Sequence, residues 1–299
     1  MLNAIEQSCN PYFWQTFRST LEKNGYGAKN ANFKTSYDKW RESMMEFGFG
    51  KKFEDSDIYQ QSRGNIPSIN FYNKVFGEIG WRAMTIRSLS IGQGEVLVTP
   101  LQLANYTAAI ANKGWYYTPH IVKSIDGKPN PDPRFKNKHL TKVQNQKYYD
   151  LVLKGMEAVM LRGTGASLKS SDFTQLAKTG TAQVPQGKDN SIFTLIAPAD
   201  KPKIVVAAVM EHAGFGATWA GPACTVIAEK YITGTLKREH LYKKMINASF
   251  MGEYKRQWYK EHGKPKEDLD SIKLKKLQDS LKLINEKNSA KNKQPKKLT

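Results

Sequence analysis

The chain of 299 residues is long enough to bury a large core, and 39% hydrophobic and 11% aromatic content fit a globular protein. No apolar run is long enough to span a bilayer, and Met1 to Asn10 lacks the basic, apolar and small-residue zones of a signal peptide. The net charge of +19 is unevenly placed: from Lys237 onward there are about 18 basic and about 8 acidic residues. Cys9 and Cys224 are the only cysteines, too few and too far apart for a disulfide framework or a metal-ligand spacing.

Apolar helical spacing begins almost at Met1, so Ala4 to Phe13 reads as the middle of a domain, and Trp14 to Asn24 continues as an amphipathic helix ending at Gly25-Tyr26-Gly27. Tyr37 to Phe47 predicts a second short helix, stopped by Gly48-Phe49-Gly50. Residues 51–78 are polar and read as an extended excursion with little regular structure. Thr99 is an N-cap and Pro100 a first helical residue for a helix running to about Asn112 and closed by Gly114. Residues 115–125 alternate as a strand, with Tyr116, Ile121 and Val122 pointing inward, and Asp126 to Pro133 forms a turn. Gln144 to Leu161 is a helix closed by Gly163-Thr164-Gly165.

Three strand-like runs follow at hairpin spacing: Leu176 to Val184, Ser191 to Ala197 and Ile204 to Met210. A glycine-rich bend at Gly214-Phe215-Gly216 feeds a helix from about Pro222 to Ile232, with Gly234 at its end. The fold class is therefore α+β, an antiparallel sheet flanked by helices. A boundary is expected near residue 236. Beyond it, Leu269, Ile272, Leu277, Leu281 and Ile284 space out an amphipathic helix, and Lys287 to Thr299 reads as disordered. This basic tail is either a solvated segment or a grip on an anionic polymer. No zinc-finger spacing or aromatic ribonucleoprotein motif speaks for nucleic acid.

Lys178-Thr179-Gly180-Thr181-Ala182-Gln183 begins the first strand of that hairpin, and its chemistry suits gripping a peptide that ends in a free carboxylate. The lysine brings positive charge, a hydroxyl binds the carboxylate, and the glycine lets a ligand approach the backbone. A strand bordering a cleft also presents backbone N–H groups to a peptide or an oxyanion. The tripeptide alone is equally compatible with an ordinary lysine on an amphipathic strand. Ser8-Cys9-Asn10 adds a hydroxyl and a carboxamide two residues apart, able to relay a proton and orient a lysine or a substrate amide, or simply to form a loop or cap.

Together these motifs resemble the penicillin-binding proteins, the D,D-transpeptidases that cross-link peptidoglycan, whose three signatures are Ser-x-x-Lys, Ser-x-Asn and Lys-Thr-Gly. Ser90-Ile91-Gly92-Gln93-Gly94-Glu95, Val98-Thr99-Pro100-Leu101-Gln102-Leu103-Ala104, Gly187-Lys188-Asp189 and Gly214-Phe215-Gly216-Ala217 are similar to the elongation-type, monofunctional class B members, over about residues 1–236. The resemblance implies that Ser8 is the proton-relay serine and Asn10 its orienting partner. It implies that Lys178 sets the positive potential and that Thr179 takes the carboxylate of the donor stem peptide or of a β-lactam. Gly180 keeps the strand open, and the Thr181 N–H forms one half of the oxyanion hole. Gln186 and Asn190 stand where many relatives are expected to carry histidine, so the contacts of that loop stay open.

The resemblance also implies a nucleophilic Ser-x-x-Lys several tens of residues before Ser8. The sole Ser-x-x-Lys here, Ser36-Tyr37-Asp38-Lys39, lies on the other side of Ser8, and Ser36 is expected to cap its helix. The chain is therefore expected to be the C-terminal part of a transpeptidase whose anchor, pedestal and first catalytic half lie elsewhere. The resemblance places such a parent at the inner membrane facing the periplasm, with elongation-complex partners and no cofactor or metal. The apolar faces around Ser8 and Leu101 are then expected to be bare. A non-catalytic wall- or partner-binding fragment, and a serine β-lactamase or sensor of the same superfamily, are the alternatives.

Overall fold

The computed structural model describes residues 1–185, 187–263 and 277–282. Contacts divide the chain into one unit, Met1–Ala248, and a second, Ser249–Thr299.

The first unit opens with α1 (Leu2–Glu6) and α2 (Asn10–Leu21), separated by a break at Gln7–Cys9 where Ser8 takes the left-handed φ of +54°. The apolar spacing over the first residues is real, but the helix it predicts is cut in two at Ser8. Next comes α3 (Ala31–Glu46), longer than its sequence signal. Its N-cap is Asn30, whose side chain accepts from the Asn32 N–H at 2.8 Å. Ser36 therefore does not cap the helix; it lies inside it, with Oγ donating to the Asn32 carbonyl at 2.9 Å. Inside the stretch expected to be irregular sits α4 (Ile69–Phe76), capped by Ser68. It covers an aromatic cluster of Phe17, Phe33, Tyr37, Tyr72 and Trp81.

A short 3₁₀ helix at Arg87–Ile91 precedes α5 (Pro100–Ala111). Thr99 caps α5 as expected, and Gln102 completes a reciprocal capping box. Gln102 does more: fully buried, its Nε2 also donates to the Lys51 and Arg63 carbonyls, so it ties the preceding loop to the helix start. The strand expected at 115–125 is only β1 (Trp115–Tyr117), paired with β4 (Lys138–Leu140); β2 (Ser124–Ile125) and β3 (Lys128–Pro129) form a small separate hairpin. Of the three residues expected to face inward, Tyr116 is buried, whereas Ile121 and Val122 are exposed at 72% and 41%.

Then come α6 (Gln146–Leu161), β5 (Leu176–Ala182), β6 (Asn190–Ala197), β7 (Ile204–Met210), α7 (Ala220–Thr233) and α8 (Glu239–Ile246). The three long strands form an antiparallel meander in the order β5-β6-β7, with Thr179 opposite Phe193 and Ser191 opposite Met210. Strand alternation sends Phe193, Leu195 and Ala197 into one core with Ala220, Cys224 and Ala228 of α7. Ile196 and Leu176 enter a second core with Ile5 of α1, Ile110 of α5, and Met156 and Val159 of α6. The sheet is thus enclosed between two helical layers, the α+β arrangement expected.

That second core covers the face beside Ser8, where Ile5 is only 7% exposed, and Leu101 packs against Phe53, Ala109 and Tyr116. The apolar exposure expected there is therefore partial: Leu2 of α1 and Tyr12 of α2 remain exposed at 37% and 38%. The unit also runs beyond residue 236: Leu241 of α8 joins the α7 core, and Arg238 pairs with the buried Glu229 at 3.2 Å. The second unit holds α9 (Met251–His262) and a helical stretch at 277–282, which includes Leu277 and Leu281. The expected helix positions Leu269, Ile272 and Ile284, and the tail from Lys287, fall outside the described residues.

Candidate active site

Lys178 lies on edge strand β5 on the same side as Leu176, because strand side chains alternate with a period of two. Leu176 faces the core built by Ile5, so Lys178 is carried toward the chain just beyond Ile5, where α1 ends and Ser8 turns. The Lys178 Nζ donates to Ser8 Oγ at 2.8 Å and to its neighbour's carbonyl, Thr179 O, at 2.8 Å. Burial pulls the ammonium down to about 8 from the ordinary lysine value near 10.5, with desolvation as the only cause. Near neutral pH this lysine is still charged, with a proton held less firmly than on an exposed lysine.

The pair opens onto a cleft of about 680 Å³ whose lining includes Ser8, Asn10, Lys178, Thr179, Gly180 and Thr181. All six site residues expected from sequence are therefore gathered in one place, from segments 170 residues apart. Asn10, the first residue of α2, is exposed and has no side-chain hydrogen bond to Lys178, so its carboxamide is open to the cleft. The Ser36–Lys39 pair does not line the cleft.

The backbone of Gly180 is closely covered, in a way its sequence context does not reveal. Gly216, on the bend after β7, lies directly over it: a Cβ on Gly216 would fall 2.5 Å from Gly180 O and 2.2 Å from Ile192 O. The bend is pinned there by the fully buried Ser191, whose Oγ donates to Phe215 O at 2.9 Å and accepts from Ala220 N–H at 3.1 Å. This leaves Phe215 on the cleft wall, 74% exposed.

Two further polar contacts went unnoticed in the sequence. Gln93 stands between Gly92 and Gly94, both at positive φ, and its Nε2 donates to Thr181 O at 3.3 Å, joining the 3₁₀ segment to the end of β5. Thr164 follows α6, and its hydroxyl lies 2.7 Å from that of Thr179. Their signals were present, since both are polar residues held between glycines, but such glycines also read simply as helix stops. Gln186 lies outside the described residues. The Asn190 side chain, at the other loop position singled out, accepts from His212 N–H at 3.0 Å.

Similarity to known proteins extends over most of the chain. The penicillin binding protein transpeptidase domain matches residues 1–233. The peptidoglycan D,D-transpeptidase MrdA of Haemophilus influenzae is 28% identical over 261 residues, 80% of this chain and 37% of that protein. MrdA of Acinetobacter baumannii is 32% identical over 241 residues, 74% of this chain and 33% of that protein. The crystal structure of Pseudomonas aeruginosa PBP2 in complex with WCK 5153 superposes with a TM-score of 0.61 at 31% identity, covering 80% of this chain and 51% of that one. The chain therefore spans about a third of the length of these curated relatives. With that domain running from α1 through Lys178 to the end of α7, the chain belongs to the penicillin-binding protein transpeptidase family.

Proposed function

We propose that this chain forms the carboxylate-binding strand and proton-relay corner of a peptidoglycan D,D-transpeptidase site, which cross-links cell-wall stem peptides. The observation that carries this reading is the 2.8 Å contact between Lys178 Nζ and Ser8 Oγ inside a cleft edged by Thr179. In it Lys178 supplies the positive potential, and Ser8 passes a proton between the reacting groups. Asn10 meets the substrate amide. Thr179 takes the terminal carboxylate of the donor peptide or of a β-lactam, Gly180 admits the ligand to the strand, and the Thr181 N–H serves a developing oxyanion. The whole protein containing such a domain acts at the inner membrane, facing the periplasm, with membrane partners of the elongation machinery. Among the described residues no helix is long and apolar enough to cross a membrane.

Acyl transfer also needs a serine with a lysine one helical turn later. Neither Ser8 nor Ser90, the serines of the cleft, is followed by a lysine at that spacing. Binding without acylation is thus the expected behaviour of these 299 residues. A fluorescent penicillin leaves no covalent band on the purified chain, while N-acetyl-D-alanyl-D-alanine shifts NMR resonances around residues 178–181 and 8–10. The shifts vanish in Lys178→Ala. A covalent band lost in Ser36→Ala, or shifts indifferent to Lys178→Ala, overturns the reading.

The charge excess after Lys237 favours a second activity, attachment to an anionic wall polymer. Such attachment weakens with salt, so pull-down by wall material that survives both high salt and removal of residues 249–299 contradicts it.

A further inference from the structure

A carboxylate has two oxygens and accepts several hydrogen bonds, so a seat for it needs more than one donor. Lys178 is only partly available, because two of its three N–H bonds point to Ser8 Oγ and Thr179 O. Among the cleft-lining residues, Thr164 places its hydroxyl directly against that of Thr179. The two threonine oxygens lie 2.7 Å apart, so one hydroxyl donates to the other.

Thr164 is held in place by its surroundings. A Cβ on the preceding Gly163 would fall 2.6 Å from Glu6 O, and one on the following Gly165 would fall 2.9 Å from Met160 Sδ. The turn is therefore seated closely on α1 and α6. Arg162 pairs with Glu6 at 3.0 Å, and Gly165 N–H donates to Val159 O at 3.0 Å. Within this clamped turn Thr164 is exposed and lines the cleft. Its anchor, Glu6, closes the same helix that leads into Ser8.

We propose that Thr164 is a second carboxylate donor: its hydroxyl leaves Thr179 when a peptide arrives and donates to one carboxylate oxygen while Thr179 donates to the other. This rests on the transpeptidase reading above, and it assigns a ligand contact outside all three sequence signatures. Nothing covalent is involved; two O–H···O⁻ bonds replace one O–H···O bond.

The test compares N-acetyl-D-alanyl-D-alanine with its C-terminal amide by NMR titration of the full chain. Thr164→Val keeps the shape and removes the hydroxyl. It should reduce the preference for acid over amide roughly tenfold or more, the worth of one hydrogen bond to a charged group. Thr164→Ser should keep the preference. The same loss should appear when Thr164→Val is added to Thr179→Val, because a direct donor acts without its neighbour. If the substitution has no effect in the Thr179→Val background, Thr164 only orients Thr179 and the proposal fails. An equal loss for acid and amide also overturns it, since that marks a structural role. If Thr179→Val itself leaves the acid preference untouched, the transpeptidase reading fails rather than the assignment of Thr164 alone.

Discussion

At Lys178, the role proposed above and stability pull in opposite directions. Its folded value, about 8, is below that of an unfolded lysine, so the unfolded chain binds more protons over the interval between them. Stability therefore rises as pH climbs from about 8 toward 10.5, and the cost of the buried charge is fully present below 8. Lys178→Met should accordingly raise the melting temperature at pH 7 while abolishing carboxylate binding, as is common at sites held charged for function. A melting temperature lowered by that substitution would show that the ammonium is net stabilising. Carboxylate affinity has the reverse pH dependence. It should be highest below about 8 and fall as the lysine loses its charge, which calorimetric titration across pH 6–10 would follow. The residue types of this site were legible in the sequence, because a lysine, two threonines and a glycine in a strand speak of anion recognition. The Ser8–Lys178 contact was not, since only tertiary packing joins segments so far apart.

Among the elements, the three strands were readable because Pro198-Ala199-Asp200 and the turn before Asn190 punctuate them, and their β-branched and aromatic residues fit a pleated surface. Helix α5 was readable for a different reason, since Thr99 and Pro100 are strong local start signals. By contrast, α4 is only eight residues long inside a polar stretch, and it gains its stability from burying Tyr72 against Tyr37 and Trp81. The bend after β7 is the element on which the cleft most depends. Adding a methyl group in Gly216→Ala forces the backbone off Ile192 and Gly180, at a cost of about 1–3 kcal/mol in stability. Denaturant unfolding should show that loss, and the acid dipeptide should bind more weakly. Unchanged unfolding and binding would mean that the bend is not seated on Gly180. The buried Gln102 gives a second check. Gln102→Leu strands the Lys51 and Arg63 carbonyls it now satisfies, and about 1–3 kcal/mol of stability should be lost.

Across the whole molecule, the α+β class, the order of the main elements and the family resemblance could all be read from the sequence. Hydrophobic alternation and helix periodicity survive in any long, well-buried element. What could not be read was how completely the helices cover the sheet. Ile5, Ile110 and Val159 close the face beside Ser8, although spacing alone left that face without a partner. The end of the first unit was equally hidden, because α8 is bound by Arg238–Glu229 and by Leu241, contacts that no compositional shift announces. The proposed function turns on Lys178, a half-buried lysine placed against Ser8 where a carboxylate could meet it. The most direct measurement is an NMR pH titration of the Lys178 side chain, with and without N-acetyl-D-alanyl-D-alanine. A free midpoint near 8 that moves upward when the peptide binds is the predicted result, because a carboxylate beside the ammonium favours its charged form. A midpoint at the ordinary lysine value, unmoved by the peptide, would contradict it.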